Sequence, residues 1–85
     1  MTPVPSAWRA NDAMRFEVAR EAANTATALL FKLADTGAID LPSAVAEAAG
    51  IRRDLLSVDG FDRDKVDSLI RRLNERIAEL EEPRK

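Results

Sequence analysis

Apolar side chains recur every three or four residues through two long segments of the chain, which is the spacing of one face of an α-helix. In the first segment the stripe consists of Met14, Val18, Ala22, Ala26, Leu29, Leu30 and Leu33. Neither Gly nor Pro interrupts residues 7–34, and Gly37 is suited to end the helix because glycine readily adopts positive φ. The pattern predicts a long helix over residues 7–36, preceded by a flexible tail over residues 1–6.

The second segment carries a heptad pattern. Its apolar positions step by four, three, four and three residues: Val66, Ile70, Leu73, Ile77 and Leu80. Asp62 is a suitable N-cap and Pro83 a suitable stop, which predicts an amphipathic helix over residues 62–82.

Two arrangements of this heptad seam remain open. Ile at the a positions with Leu at d favours a parallel two-stranded coiled coil, in which Arg76 could pair with Glu81 of a second chain. Alternatively, the seam packs against the long N-terminal helix of its own chain, since little more than two heptads is too short to dimerise alone.

Between these segments, Asp40 and Pro42 are typical of a helix start, and Gly50 of a helix end. The sequence thus predicts a short helix over residues 40–49 and a helical turn over residues 51–58. Taken together, residues 1–85 predict a single all-α domain, folded as a helical hairpin or bundle with a corner in its middle.

That corner resembles the helix-turn-helix core of bacterial and phage repressors. The segment Val45-Ala46-Glu47-Ala48-Ala49-Gly50-Ile51, continuing to Leu55-Leu56-Ser57, has the small residues, the turn glycine and the aliphatic plug of that motif. The resemblance implies a small DNA-binding regulator of phage or plasmid type, with Arg52 and Arg53 touching phosphates.

The same segment departs from the repressor pattern. Asp59-Gly60 would cut the recognition helix short, and Asn and Gln base readers are missing from it. Seven basic residues face six acidic ones between positions 50 and 76, so phosphate neutralisation would be poor. The competing interpretation is a helix–glycine–helix corner that only closes a bundle.

Composition then narrows the chemistry. The chain has no His and no Cys, which removes the imidazole bases, thiol nucleophiles and zinc ligands of most catalytic sites. The acids of residues 59–64 are explained by turn formation and helix capping rather than by calcium binding. We therefore expect no enzymatic activity, no cofactor and no metal. With a net charge of -2 and no apolar run of membrane-spanning length, we expect a cytoplasmic protein without a membrane partner.

The supply of large apolar residues points to association. Of the 85 residues, 24 are apolar and larger than Ala, whereas 15 are Ala, many of them in the long first helix. A chain of this size has a marginal core, so we expect a homodimer or a helical partner protein. The predicted association residues are Val66, Ile70, Leu73, Ile77 and Leu80, with Met14, Val18, Leu29 and Leu33 on the first helix. A break of the first helix near Asn11 or Asn24 would instead allow a compact monomer.

Overall fold

The computed structural model describes the backbone of residues 4–82 and the side chains of residues 13–82. Over this range the chain forms three α-helices: α1 (Val4–Asp35), α2 (Leu41–Ser57) and α3 (Arg63–Glu81). Helix α1 packs against both α2 and α3. The predicted all-α bundle is thereby confirmed.

Helix α1 is longer than predicted at its start. It begins at Val4, inside the segment expected to be a tail, while residues 1–3 of that tail lie outside the described range. Pro5 then falls in the first helical turn, where its missing N–H would have had no intrahelical acceptor. The helix runs unbroken for 32 residues, about 48 Å at 1.5 Å per residue. The expected alternative of a break near Asn11 or Asn24 is wrong.

Gly37 ends α1 by adopting a left-handed conformation, with φ of 83°. The amide of Ala38 donates to the carbonyl of Leu33 at 2.9 Å, and the amide of Gly37 donates to that of Ala34 at 3.1 Å. This pair of bonds is a Schellman motif, which satisfies two terminal carbonyls of the helix.

Helix α2 is one continuous element rather than a short helix and a separate turn. Asp40 caps it, accepting hydrogen bonds from the amide of Ser43 at 3.0 Å and from its hydroxyl at 2.9 Å. These two bonds hold the pKa of the Asp40 carboxyl below its ordinary value.

The prediction that a helix ends at Gly50 is wrong. Glycine within a helix costs about 1 kcal/mol relative to alanine, which packing can outweigh. Ala44 and Ala48 before the glycine, and Ile51 and Leu55 after it, all join the core. Their shared side of the helix favours continuation across Gly50.

Helix α3 returns antiparallel to α1. Asp62 caps it by accepting the amide of Lys65 at 3.2 Å. Near its start, Asp67 accepts a hydrogen bond from Arg15 at 2.7 Å; near its end, Leu80 is buried with Leu30 in one apolar cluster.

The core is small because half of it is alanine. The buried residues among the described side chains are Ala19, Ala22, Ala23, Ala26, Leu30, Ala44, Val66, Leu69, Leu73 and Leu80. Alanine allows helices to approach closely, but it buries little apolar area, and hydrophobic stabilisation scales with that area. Much of the fold's stability therefore depends on the five larger side chains.

Candidate interaction surfaces

The heptad seam of α3 serves mainly the core of its own chain. Val66, Leu73 and Leu80 are buried, in contact with the alanines of α1 and with Leu30. Ile70 and Ile77 pack beside this row and stay partly exposed. Of the two arrangements left open by the sequence, the structure shows the one in which the seam packs against α1 of its own chain.

Arg76 of the heptad segment forms ion pairs within its own chain. Its guanidinium makes a two-pronged ion pair with Glu47 of α2, at 2.6 and 2.9 Å, and a further bond to Glu79 at 3.0 Å. The hydrogen bonds that Arg76 donates to Glu47, and secondly to Glu79, raise the pKa of Arg76 above its ordinary value. Within the chain, the charge of Arg76 is thus paired, and it ties α2 to α3.

Two of the predicted association residues of α1 face solvent. Met14 is 67% exposed and Val18 is 50% exposed, although both share a helical stripe with the buried Ala22 and Ala26. They line a depression together with Arg15 and Arg63. Leu29 and Leu33, further along α1, are partly buried against the core.

These residues define one open side of the α1–α3 pair. On α3, Leu69, Arg72 and Arg76 turn toward α2, so Ile70 and Ile77 lie on the opposite flank of the buried row. Met14, Val18 and Leu29 share one side of α1 by their helical spacing. We call the surface formed by Met14, Val18, Leu29, Ile70 and Ile77 the α1–α3 face.

A second apolar surface lies on α2 and was missed by the sequence reasoning. Leu41, Val45 and Leu56 are 57%, 48% and 72% exposed, on a side of the helix about a quarter turn away from the side that joins the core. Ala49 and Arg52, also exposed, complete a stripe with spacings of four, four, three and four residues. We call these five residues the α2 outer face. The spacing of these residues is present in the sequence, but it forms one stripe only if the helix continues through Gly50.

The charges of α2 are divided between its two sides. Its two carboxylates both turn toward α3, where Glu47 pairs with Arg76, and Asp54 lies 3.7 Å from Arg72. Arg52 and Arg53 face solvent and have no ion-pair partner within the described part of the chain.

The geometry expected from the repressor resemblance is not formed. Gly50 lies within α2 and does not adopt positive φ, so residues 51–57 continue the preceding helix instead of turning into a separate recognition helix. A Cβ at Gly50 would meet only the Arg53 guanidinium, at 3.7 Å.

The acidic turn between α2 and α3 has the roles expected for it. Asp59 accepts the amide of Phe61 at 2.9 Å, and Asp62 is the cap of α3. Among the side chains of residues 13–82, no group of three or more acidic residues is placed to hold a metal ion. No helix within residues 4–82 combines the length and apolar character needed to cross a bilayer.

No protein-family model, curated protein or solved structure matches the chain at a significant level.

Proposed function

We propose that the protein is a non-enzymatic helical interaction module that assembles as a homodimer through the α1–α3 face. The main support for this proposal is that the chain exposes more surface than a compact monomer of its mass. The chain exposes 6068 Å² for a mass of 9.4 kDa, whereas a compact folded monomer of this mass exposes about 5,000 Å². The radius of gyration of 15.4 Å likewise exceeds the about 12 Å of a compact domain of this length.

The α1–α3 face is the part of this surface that best fits a second copy. Met14 and Val18 are exposed on α1, and Ile70 and Ile77 continue the apolar area onto α3. The molecule measures 58 × 22 × 17 Å, so one long side is large enough for the roughly 800 Å² that each partner buries in a specific interface. Association would act by burial of apolar area, without any chemical step. We propose the cytoplasm as the compartment of the protein.

Sedimentation velocity tests the homodimer, with two valines as a matched pair. Val18→Glu places a charge on the α1–α3 face, and Val45→Glu places the same charge on the α2 outer face. The two side chains are 50% and 48% exposed, so neither substitution removes a buried group. We expect the native chain and Val45→Glu to sediment as dimers at tens of micromolar, and Val18→Glu as a folded monomer, because burying an unpaired charge in the interface is costly.

Circular dichroism of each variant supplies the folding control. A native chain that is folded and monomeric at these concentrations would overturn the homodimer. Dissociation by Val45→Glu but not by Val18→Glu would overturn the choice of face.

A further inference from the structure

We propose that the α2 outer face binds an amphipathic helix of another protein, one that carries carboxylates beside its own apolar stripe. This surface is separate from the α1–α3 face, so the proposal does not depend on the homodimer.

The shape of the α2 outer face fits a helical partner. From Leu41 to Leu56 the stripe extends about 22 Å at 1.5 Å per residue, which matches four turns of a partner helix. Its ends carry leucines and its centre carries Ala49, so large side chains can grip a partner at both ends while a small one permits close approach in the middle. Helical partners are commonly held by such anchors at one-turn spacing.

The α2 outer face is also held in position before binding. Asp40 caps the start of α2, and the amide of Val58 donates to the carbonyl of Asp54 at its end, at 3.2 Å. The inner side packs on the core, and the Glu47–Arg76 pair fixes the helix against α3. A preformed helix loses little conformational freedom on binding.

The charge around the α2 outer face favours an acidic partner. The chain as a whole has a net charge of -2, yet the solvent side of α2 carries Arg52 and Arg53 and no carboxylate, because Glu47 and Asp54 turn toward α3. Neither arginine is ion-paired within residues 13–82. A carboxylate on the partner would satisfy both groups, and charge complementarity of this kind sets the choice of partner.

The same features count against other occupants. A second α2 would bring four arginines together without a carboxylate. Anionic lipid requires a wide apolar side with several cations, whereas this stripe is one residue wide, with Arg52 within it and Arg53 beside it. In duplex DNA, the groove-facing side of a helix is polar, but here it would present Leu41, Val45 and Leu56.

Fluorescence anisotropy with two synthetic helical peptides tests this inference. Both peptides are 21 residues long with leucines at heptad a and d positions; one has Glu and the other Lys at the flanking e and g positions. We expect the full-length protein to bind the Glu peptide at least about tenfold more tightly than the Lys peptide. Val45→Glu should weaken Glu-peptide binding about tenfold or more, whereas the matched control Val18→Glu should leave it unchanged.

A charge reversal distinguishes charge-specific recognition from non-specific hydrophobic binding. The double substitution Arg52→Glu/Arg53→Glu alters only exposed side chains, so the fold is retained, and the preference should switch to the Lys peptide. If this variant nonetheless loses its helical circular dichroism, the milder Arg52→Gln/Arg53→Gln should abolish the preference for Glu without creating one for Lys.

Three results would overturn the inference. The first is no binding of the Glu peptide up to about 100 micromolar. The second is equal binding of both peptides. The third is Val45-dependent binding to phosphatidylserine vesicles or duplex DNA in place of the peptide.

Discussion

Helices α2 and α3 are of similar length and both pack on α1, but they use their apolar residues in opposite ways. In α3 the large side chains turn inward: Val66, Leu69, Leu73 and Leu80 are buried. In α2 the one fully buried side chain is Ala44, while Leu41 and Leu56 face solvent. The apolar pattern of α3 is thus largely consumed by folding, whereas that of α2 remains available to a partner.

The difference has an energetic counterpart. Complete burial of a Leu or Val side chain stabilises a fold by about 1.5 to 3 kcal/mol, whereas Ala44 contributes far less area. Helix α2 is held instead by its cap, by the partly buried Ile51 and Leu55, and by the ion pair between Glu47 and Arg76.

The largest contrast is expected between two leucines. Leu73→Ala removes a side chain that is 4% exposed and should lower the free energy of unfolding by about 2 to 4 kcal/mol. Leu56→Ala removes one that is 72% exposed and should change it by less than about 0.5 kcal/mol. Urea unfolding followed by circular dichroism, at one fixed protein concentration, measures both. Equal effects would contradict the view that the apolar residues of α3 stabilise the fold while those of α2 remain available to a partner.

The ion pair between α2 and α3 should give a smaller effect. A double-mutant cycle with Glu47→Ala and Arg76→Ala should show a coupling of about 1 kcal/mol, since the pair is two-pronged but each side chain is about a third exposed. The control is the exposed pair Arg20–Glu17 on α1, for which we expect a coupling near zero. A control coupling as large as that of Glu47–Arg76 would remove the special role of the latter in holding α2.

The smallest effects concern two glycines, and their signs should differ. Gly50→Ala should raise the free energy of unfolding by about 0.5 to 1 kcal/mol, because alanine favours the helix and its Cβ meets only an ordinary contact. Gly37→Ala should lower it by about 1 kcal/mol, because φ there is 83°. Thermal melts at matched concentration give both values. Destabilisation by Gly50→Ala would instead support a turn at this position, as the repressor resemblance implies.

The sequence predicted those elements whose signals are local. Asp62 before a heptad pattern and Gly37 after a long stripe mark helix ends through their own backbone and side-chain chemistry. Gly50 could not be interpreted in the same way, since whether a glycine ends a helix depends on what the residues on both sides pack against. Ala44 and Ala48 pack in one apolar cluster, Leu55 packs in the other and Ile51 contacts both, and this tertiary packing outweighs the local preference.

For a related reason, helical spacing alone does not show which apolar residues of α1 stay exposed after packing. Helical spacing placed Met14 and Val18 on the apolar side of α1, but the width of the stripe that α3 covers is a property of the packed pair. These two residues fall at its uncovered edge, 67% and 50% exposed.

The alanine row of α1 also affects the axial register of α3 against α1. Helices normally lock in register because the ridges of one fit the grooves of the other. Ala19, Ala22, Ala23 and Ala26 form only shallow ridges, so the middle of the pair discriminates weakly between positions one turn apart. Alignment is then fixed at the α2–α3 turn, where the ring of Phe16 lies over Gly60 and Arg15 reaches Asp67. The long middle of the molecule sets how closely the helices approach, and its end sets where they align.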